Sequence, residues 1–134
     1  MLDLDNFKRI NDRYGHSAGD VALTIFSERL SAAIRGSDLA VRIGGDEFEV
    51  LLPKCTPGQV EAVLRRLSPL EIEMDGEKVP LAFSAGWTEY QTGETPEQLL
   101  QRADQALYAQ KEIRKGRDSR QHAEGRSTVR FHGS

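Results

Sequence analysis

Residues 38–53, DLAVRIGGDEFEVLLP, set two adjacent carboxylates, Asp46 and Glu47, beside two glycines and between two apolar runs. The pattern predicts a β-hairpin with chemistry at its turn. Val41 and Ile43 precede the turn, Phe48, Val50 and Leu52 follow it at every second position, and Gly44 and Gly45 supply the backbone freedom of a tight reversal. Two successive residues without Cβ also let a bulky ligand, such as a polyphosphate or a ribose, approach the main chain. A Gly-Gly-Asp turn with solvated acids is otherwise an ordinary hairpin, so the remaining residues decide whether this one is a site.

Composition narrows the classes first. The chain has 134 residues, 38% hydrophobic and 29% charged, which fits one domain of an ordinary soluble globule with a real core. There is no apolar run of bilayer-crossing length, and Met1 is followed by Asp3 and Asp5 rather than by a basic leader, so a cytoplasmic chain is expected. The lone Cys55 makes no internal disulfide and reads as a packing residue. A net charge of −3 argues against a general nucleic-acid binder, although Lys111, Arg114, Lys115, Arg117, Arg120, Arg126 and Arg130 gather near the end.

Upstream of the hairpin, residues 1–5 (MLDLD) alternate as a strand would, with Asp3 and Asp5 on one face. Paired carboxylates there suggest a nearby cation or a helix cap. Asp5, just ahead of Asn6 and Phe7, suits the cap, which leaves Asp3 as the metal candidate with Asp46 and Glu47 as partner acids. Residues 7–19 are short, polar and interrupted by Gly15, so they predict a turn of helix and a loop that contains His16. Val21, Ile25, Phe26, Leu30, Ala33 and Ile34 then recur at three- and four-residue steps, an amphipathic helix over 20–34 that ends near Gly36.

Downstream, Thr56-Pro57-Gly58-Gln59 and Thr95-Pro96-Glu97-Gln98 each open a helix with a cap, a first-turn proline and a capping-box glutamine. Val60, Val63, Leu64 and Leu67 face inward from the first, and Leu99, Leu100, Ala103, Ala106 and Leu107 from the second. Between them, residues 71–74 and 79–87 flank Asp75-Gly76 as a second hairpin. Residues 119–134 are polar, basic and without periodicity, which predicts a disordered tail with a stray strand at 128–131.

The string Gly44-Gly45-Asp46-Glu47-Phe48, taken with D-x-D-x-F-K-x-x-N-D-x-x-G-H-x-x-G-D, which residues 3–20 meet without a miss, resembles the GGDEF family, the diguanylate cyclases. Ala103-Asp104 and Ala106-Leu107-Tyr108 match the family's A-D-x-A-L-Y, and residues 111–117 approach its K-x-x-G-K-G-R with Arg114 in place of a glycine. Residues 81–87 resemble its T-x-S-x-G-V strand, with Ala and Trp where β-branched residues are usual.

This resemblance implies an α+β palm-like fold with a mostly antiparallel central sheet and flanking helices. It implies a GGDEF domain over 1–118 that is incomplete at its N-terminus, since the family's D-x-L-T-x-L-x-N-R segment and part of the first strand do not precede Asp3. The implied activity joins two GTP molecules into cyclic di-GMP with release of pyrophosphate, using Mg²⁺ or Mn²⁺ held by Asp3, the Leu4 carbonyl and Asp46. Asp46 is also implied as proton acceptor and Glu47 as a metal ligand or base. Asn11 and Asp20 would read guanine, Gly44 and Gly45 would admit the nucleotide, and Lys111 and Arg117 would meet its phosphates. The offset of Arg35-x-x-Asp38 from Gly44 is that of the family's inhibitory product site, with Arg66 as a further product contact. Partners so implied are GTP, cyclic di-GMP, a second copy of the chain and an upstream sensor domain in a parent protein that could itself be membrane-anchored. The rival from another class is an idle module that binds cyclic di-GMP or GTP and acts as a regulator. A third possibility is another nucleotidyl cyclase or a palm-type polymerase relative.

Overall fold

A computed structural model describes residues 1–121 and 132–133, so the strand expected at 128–131 lies outside the described residues. The chain divides into two compact units, one of Asp3–Phe83 and one of Met1–Leu2 with the residues from Ser84 onward.

The first unit holds most of β1 (Leu2–Leu4), then α1 (Phe7–Tyr14), α2 (His16–Ala33), β2 (Leu39–Gly44), β3 (Glu47–Leu51), α3 (Pro57–Leu67), β4 (Glu71–Met74) and β5 (Glu77–Pro80). The hairpin at the glycines forms as its sequence predicts: β2 and β3 run antiparallel with Leu39 opposite Leu51, Arg42 opposite Phe48 and Gly44 opposite Glu47. Its register shifts between Arg42 and Gly44, which bulges Ile43 out of the ladder. β1 lies beside β3.

One face of the hairpin is covered and the other is not. Phe48 is buried, and its ring centroid stands 5.0 Å from that of Phe26 on α2, which in turn is 5.7 Å from Phe83. The opposite face carries Leu39, Val41, Ile43 and Leu51, each about half exposed. Period-two alternation therefore sorts apolar side chains to both faces, and only the face under α2 joins the core.

Two boundaries differ from the sequence-based expectation. The polar stretch before residue 20 is not a loop: α1 is a complete helix, α2 starts at His16, and Gly15 alone, at φ 93°, makes the connection. Glycine reaches that backbone region without the Cβ clash other residues meet, so a single residue suffices for the reversal. Asp5 does not cap α1; Asn6 occupies that position and its side chain caps nothing. At the other end α2 stops at Ala33, with Ile34 extended, so Gly36 plays no part in ending it.

The capping boxes at Thr56 and Thr95 form as predicted, with Thr56 N–H donating to Gln59 Oε1 at 2.8 Å and Thr95 N–H to Gln98 Oε1 at 3.0 Å. Asp75 at φ 51° and Gly76 at φ 77° make the second hairpin turn, which pairs β4 with β5 as a separate two-stranded sheet. The strand expected over 79–87 splits, because Leu81 turns inward to donate its N–H to Leu70 O at 2.8 Å.

The second unit contains β6 (Phe83–Trp87), mostly, α4 (Pro96–Gln121) and β7 (His132–Gly133), with β6 and β7 paired in parallel. Met1 and Gly86 exchange two main-chain hydrogen bonds of 3.0 Å. A Cβ on Gly86 would lie 2.0 Å from the Leu107 amide nitrogen, so only glycine lets α4 lie this close to β6. Arg102 braces the unit through Glu94, Thr88 and Glu89, and its guanidinium holds the Glu94 carboxyl below the usual range.

Phe26 is fully buried between two rings, so its truncation opens a cavity in the first unit. Phe26→Ala should lower unfolding stability by about 3–5 kcal/mol in urea titrations, and a loss below about 1 kcal/mol would show that the site collapses without it.

Candidate active site

The glycine turn is fixed by two donors. Gly45 takes φ 53°, its carbonyl accepts from Arg42 Nε at 2.9 Å, and the Asp46 carbonyl accepts from the Leu4 N–H at 3.2 Å. The second bond sets the main chain of β1 directly against the turn. Asp3, next to Leu4, is a buried charged residue at 4% exposure, whereas Asp46 is half-buried and Glu47 exposed. Gly44 and Gly45 are open to solvent, and nothing lies within 4 Å of where a Cβ would stand on either. A ligand can thus reach the backbone of the turn without displacing a side chain.

Among the described residues no three His, Cys, Asp or Glu side chains gather closely enough to cage a metal ion. The candidate donors are of another kind: carboxylates at Asp3, itself buried, and Asp46, with the Leu4 carbonyl, all hard oxygen ligands. Mg²⁺ in nucleotide enzymes commonly takes one or two carboxylates and completes its shell with phosphate oxygens and water. The residues present fit that mode.

Asn11 lies on α1 and its Oδ1 is buried with no hydrogen-bond partner among the described residues. Its place depends on Gly19 in the first turns of α2, because a Cβ there would come within 1.8 Å of that oxygen. Asp20 follows on α2, exposed, and lines an open cleft of about 370 Å³ together with Leu23, Thr24, Ser27, Glu28 and Arg42. The cleft therefore runs from Asp20 to the residue that pins the glycine turn. Arg42 was not singled out by the sequence; its signal is a lone cation in an apolar strand, in register with Phe48 on the covered face. Because α2 begins four residues before Asp20, that carboxylate is not a helix cap and is left to face the cleft.

Arg35 and Asp38 meet as their spacing suggests. Asp38 accepts from the Arg35 N–H at 2.8 Å and from its Nε and Nη2 at 3.3 Å, and the same Nη2 donates to Pro53 O at 2.9 Å. The Asp38 side chain is only 1% exposed, and the Arg35 amide, followed by the guanidinium, holds its carboxyl below the ordinary aspartate value. Cys55 stands near enough to feel both charges, and burial pushes its thiol up, which suits a packing role. Arg66 donates from Nη1 to Ala33 O at 2.9 Å, closing one of the open carbonyls at the end of α2. Lys111 and Arg117 both lie on α4, in the second unit, and are partly buried. His16 is exposed at the start of α2.

A family model described as diguanylate cyclase, GGDEF domain, matches residues 1–117. Diguanylate cyclase DgcP of Pseudomonas aeruginosa is 42% identical over 122 residues, which cover 88% of this chain and 18% of that protein. Diguanylate cyclase A of Treponema denticola is 37% identical over 117 residues, covering 84% of this chain and 32% of that one. Among solved structures, diguanylate cyclase SiaD of P. aeruginosa, in complex with its activator SiaC, superposes with a TM-score of 0.78 at 36% identity, covering 84% of this chain and 45% of that one. The GGDEF domain of DgcB from Caulobacter crescentus, in complex with c-di-GMP, gives 0.76 at 29% identity, covering 84% and 70%. The chain spans about a third or less of the length of these two curated relatives.

The Asp38 contacts have a direct readout. A depressed folded-state value means that the Arg35–Asp38 contact contributes stability above the ordinary aspartate range and loses it as pH falls through Asp38's own lower value. In a carboxyl NMR titration Asp38 should titrate below about 3.9, the unperturbed aspartate value. Arg35→Ala should raise the midpoint, and an unshifted midpoint in the unaltered protein would show the contact absent in solution.

Proposed function

The chain belongs to the GGDEF domain family, and from that premise we propose that it is a diguanylate cyclase module, which condenses two GTP molecules into cyclic di-GMP and two pyrophosphates. The observation that carries this reading is the turn itself. Its carbonyls are held by Arg42 and Leu4, its glycines are open, and the Arg42 that pins it shares a cleft wall with Asp20.

Asn11 and Asp20 recognise guanine. An aspartate carboxylate accepts from both donors on the guanine edge, and the buried Asn11 Oδ1 supplies an acceptor that no described residue satisfies. The ribose and phosphates lie along the cleft toward Gly44 and Gly45, where the absence of side chains lets them close on the main chain. Lys111 and Arg117 are phosphate partners on the family pattern alone. Asp3, the Leu4 carbonyl and Asp46 would hold Mg²⁺ or Mn²⁺, with Glu47 beside them; the bound cation supplies positive charge to the phosphate oxygens and lowers the pKa of the 3′-hydroxyl. In each half-reaction the 3′-oxygen of one nucleotide bonds to the α-phosphorus of the other, and the bond from that phosphorus to the pyrophosphate oxygen breaks. The hydroxyl proton passes to the Asp46 carboxylate. One chain supplies one such half-site, so the active unit is a symmetric pair of chains.

A regulatory reading keeps a place because Arg35 and Asp38 are already assembled. The half-exposed Arg35 guanidinium suits the phosphate or guanine of a product dimer, whereas Asp38, 1% exposed, would meet a guanine edge only after releasing Arg35. In the cyclase reading this is the inhibitory site, with Arg66 nearby; in an idle module it would be the whole function.

Incubation of the purified chain with GTP and Mn²⁺ should yield cyclic di-GMP, detected by chromatography, and Asp46→Asn should lower the rate about 100-fold or more. No product at high protein concentration removes the cyclase claim for this chain. Calorimetric binding of cyclic di-GMP, lost in Arg35→Ala and unaccompanied by GTP turnover, selects the regulatory module instead.

A further inference from the structure

The helix that carries Asn11 is clasped at both ends by residues 77–82, of which 77–80 have no part in the family pattern quoted above. At its start, Asn6 does not cap α1 but donates from Nδ2 to Pro80 O at 2.7 Å, and the neighbouring Asp5 N–H donates to Ala82 O at 2.9 Å. At its finish, the Tyr14 hydroxyl donates to Glu77 Oε2 at 2.7 Å and Arg13 Nη2 to the same oxygen at 3.0 Å. The Arg13 guanidinium also lies 5.2 Å from the centre of the Tyr14 ring. All four bonds end on residues 77–82, that is β5 and the two residues that follow it, with Glu77 Oε2 accepting two of them.

We propose that the Glu77–Pro80 strand acts as a brace for guanine recognition, with Glu77 and Asn6 as positioning residues that hold α1 so that Asn11 Oδ1 faces the base. The proposal rests on Asn11 and Asp20 reading guanine. Its physical basis is the length of α1. A helix of eight residues is too short to be stable on its own and takes its position from what it is tied to. On its inner side α1 buries only Ile10. On its outer side the ties are the Asn6 and Tyr14–Arg13 contacts, spaced one at each end with Asn11 between them. Loss of the Glu77 tie leaves the last turn of α1, which leads into Gly15 and α2, without its outer anchor. Asn11 sits in that same turn and its orientation follows. Because Gly19 lets α2 come up against Asn11 Oδ1, a small rotation of α1 is enough to change which atom faces the ligand.

The contacts are polar and Glu77 is exposed, so its loss should alter recognition more than folding. The test compares binding of GTP with that of inosine triphosphate, which lacks the 2-amino group, by calorimetry in the presence of Mg²⁺. Glu77→Ala should weaken GTP binding about fivefold, the scale of one hydrogen bond, and narrow the preference for GTP over inosine triphosphate. Glu77→Gln, which keeps an oxygen acceptor for Tyr14, should retain most of the preference, and Lys78→Ala should leave it unchanged. An unaltered preference in Glu77→Ala, while Asn11→Ala abolishes it, overturns the brace and leaves guanine reading intact. An equal loss in Lys78→Ala also overturns it, since any change to the hairpin would then do the same. If the unaltered chain shows no preference, guanine reading fails and the brace fails with it; if Asn11→Ala leaves the preference intact, Asp20 reads the base without Asn11 and the brace is overturned.

Discussion

The hydrogen bond from the Leu4 amide to the Asp46 carbonyl is the constraint on which the candidate site depends. It ties the strand that carries Asp3 to the turn that carries Asp46, residues 43 positions apart in sequence. Main-chain carbonyls are strong acceptors, and the two at this turn each have a donor, Leu4 on Asp46 and Arg42 on Gly45. With both satisfied, the turn holds one shape while its side chains stay available. Phe48, the next residue but one, locks the same hairpin into the core through Phe26. The chemistry of the turn and the packing of the hairpin are thus consequences of one register.

What the sequence made legible is what local rules determine. The glycine hairpin, the Asp75-Gly76 turn and both capping boxes depend on residues within a few positions of one another, and each formed where its signal stood. Boundaries set by distant partners were not legible. Residues 7–19 read as a loop because α1 is short and polar, yet tertiary ties hold it helical, and Gly15 joins it to α2 in a single residue. Residues 79–87 read as one strand because all are compatible with one; the split comes from Leu81 bonding Leu70. Of the proposed site, Asn11, Asp20, Asp3 and the acids at the turn could be named from the family pattern. Arg42 and Glu77 could not, since their contacts with the turn and with α1 are supplied only by the fold.

The Arg35–Asp38 pair has a structural duty whatever it binds. It stands where α2 has ended without a glycine, and the Arg35 amide and side chain close on Asp38 to hold the bend that leads into β2. Arg66 serves the same helix end from α3 by taking the Ala33 carbonyl. With its guanidinium half exposed the pair contributes little stability by itself, but the nearly inaccessible Asp38 carboxylate and the Pro53 carbonyl fix the direction of that guanidinium. Under the regulatory reading, a phosphate or guanine arriving at Arg35 would meet a donor already oriented and would share it with Asp38 and Pro53. Preorganisation would favour such binding and the internal acceptors would oppose it, so the loop around Pro53 would bear on affinity as well as the two named residues.

The arrangement at the turn also bears on stoichiometry under the cyclase reading. Cyclic di-GMP contains two phosphodiester bonds, and each needs its own 3′-oxygen, its own α-phosphorus and its own proton acceptor. A single turn with a single Asp46 can serve one of them at a time. Gly44, Gly45 and Glu47 are all exposed, so the turn is presented outward instead of enclosed within its own chain. An enclosed site would have to exclude water by itself; an outward one gains that exclusion only when a second nucleotide-loaded surface meets it. The same exposure that makes the turn incomplete alone is therefore what allows two of them to assemble one reaction centre, and it ties turnover to whatever governs the meeting of two chains.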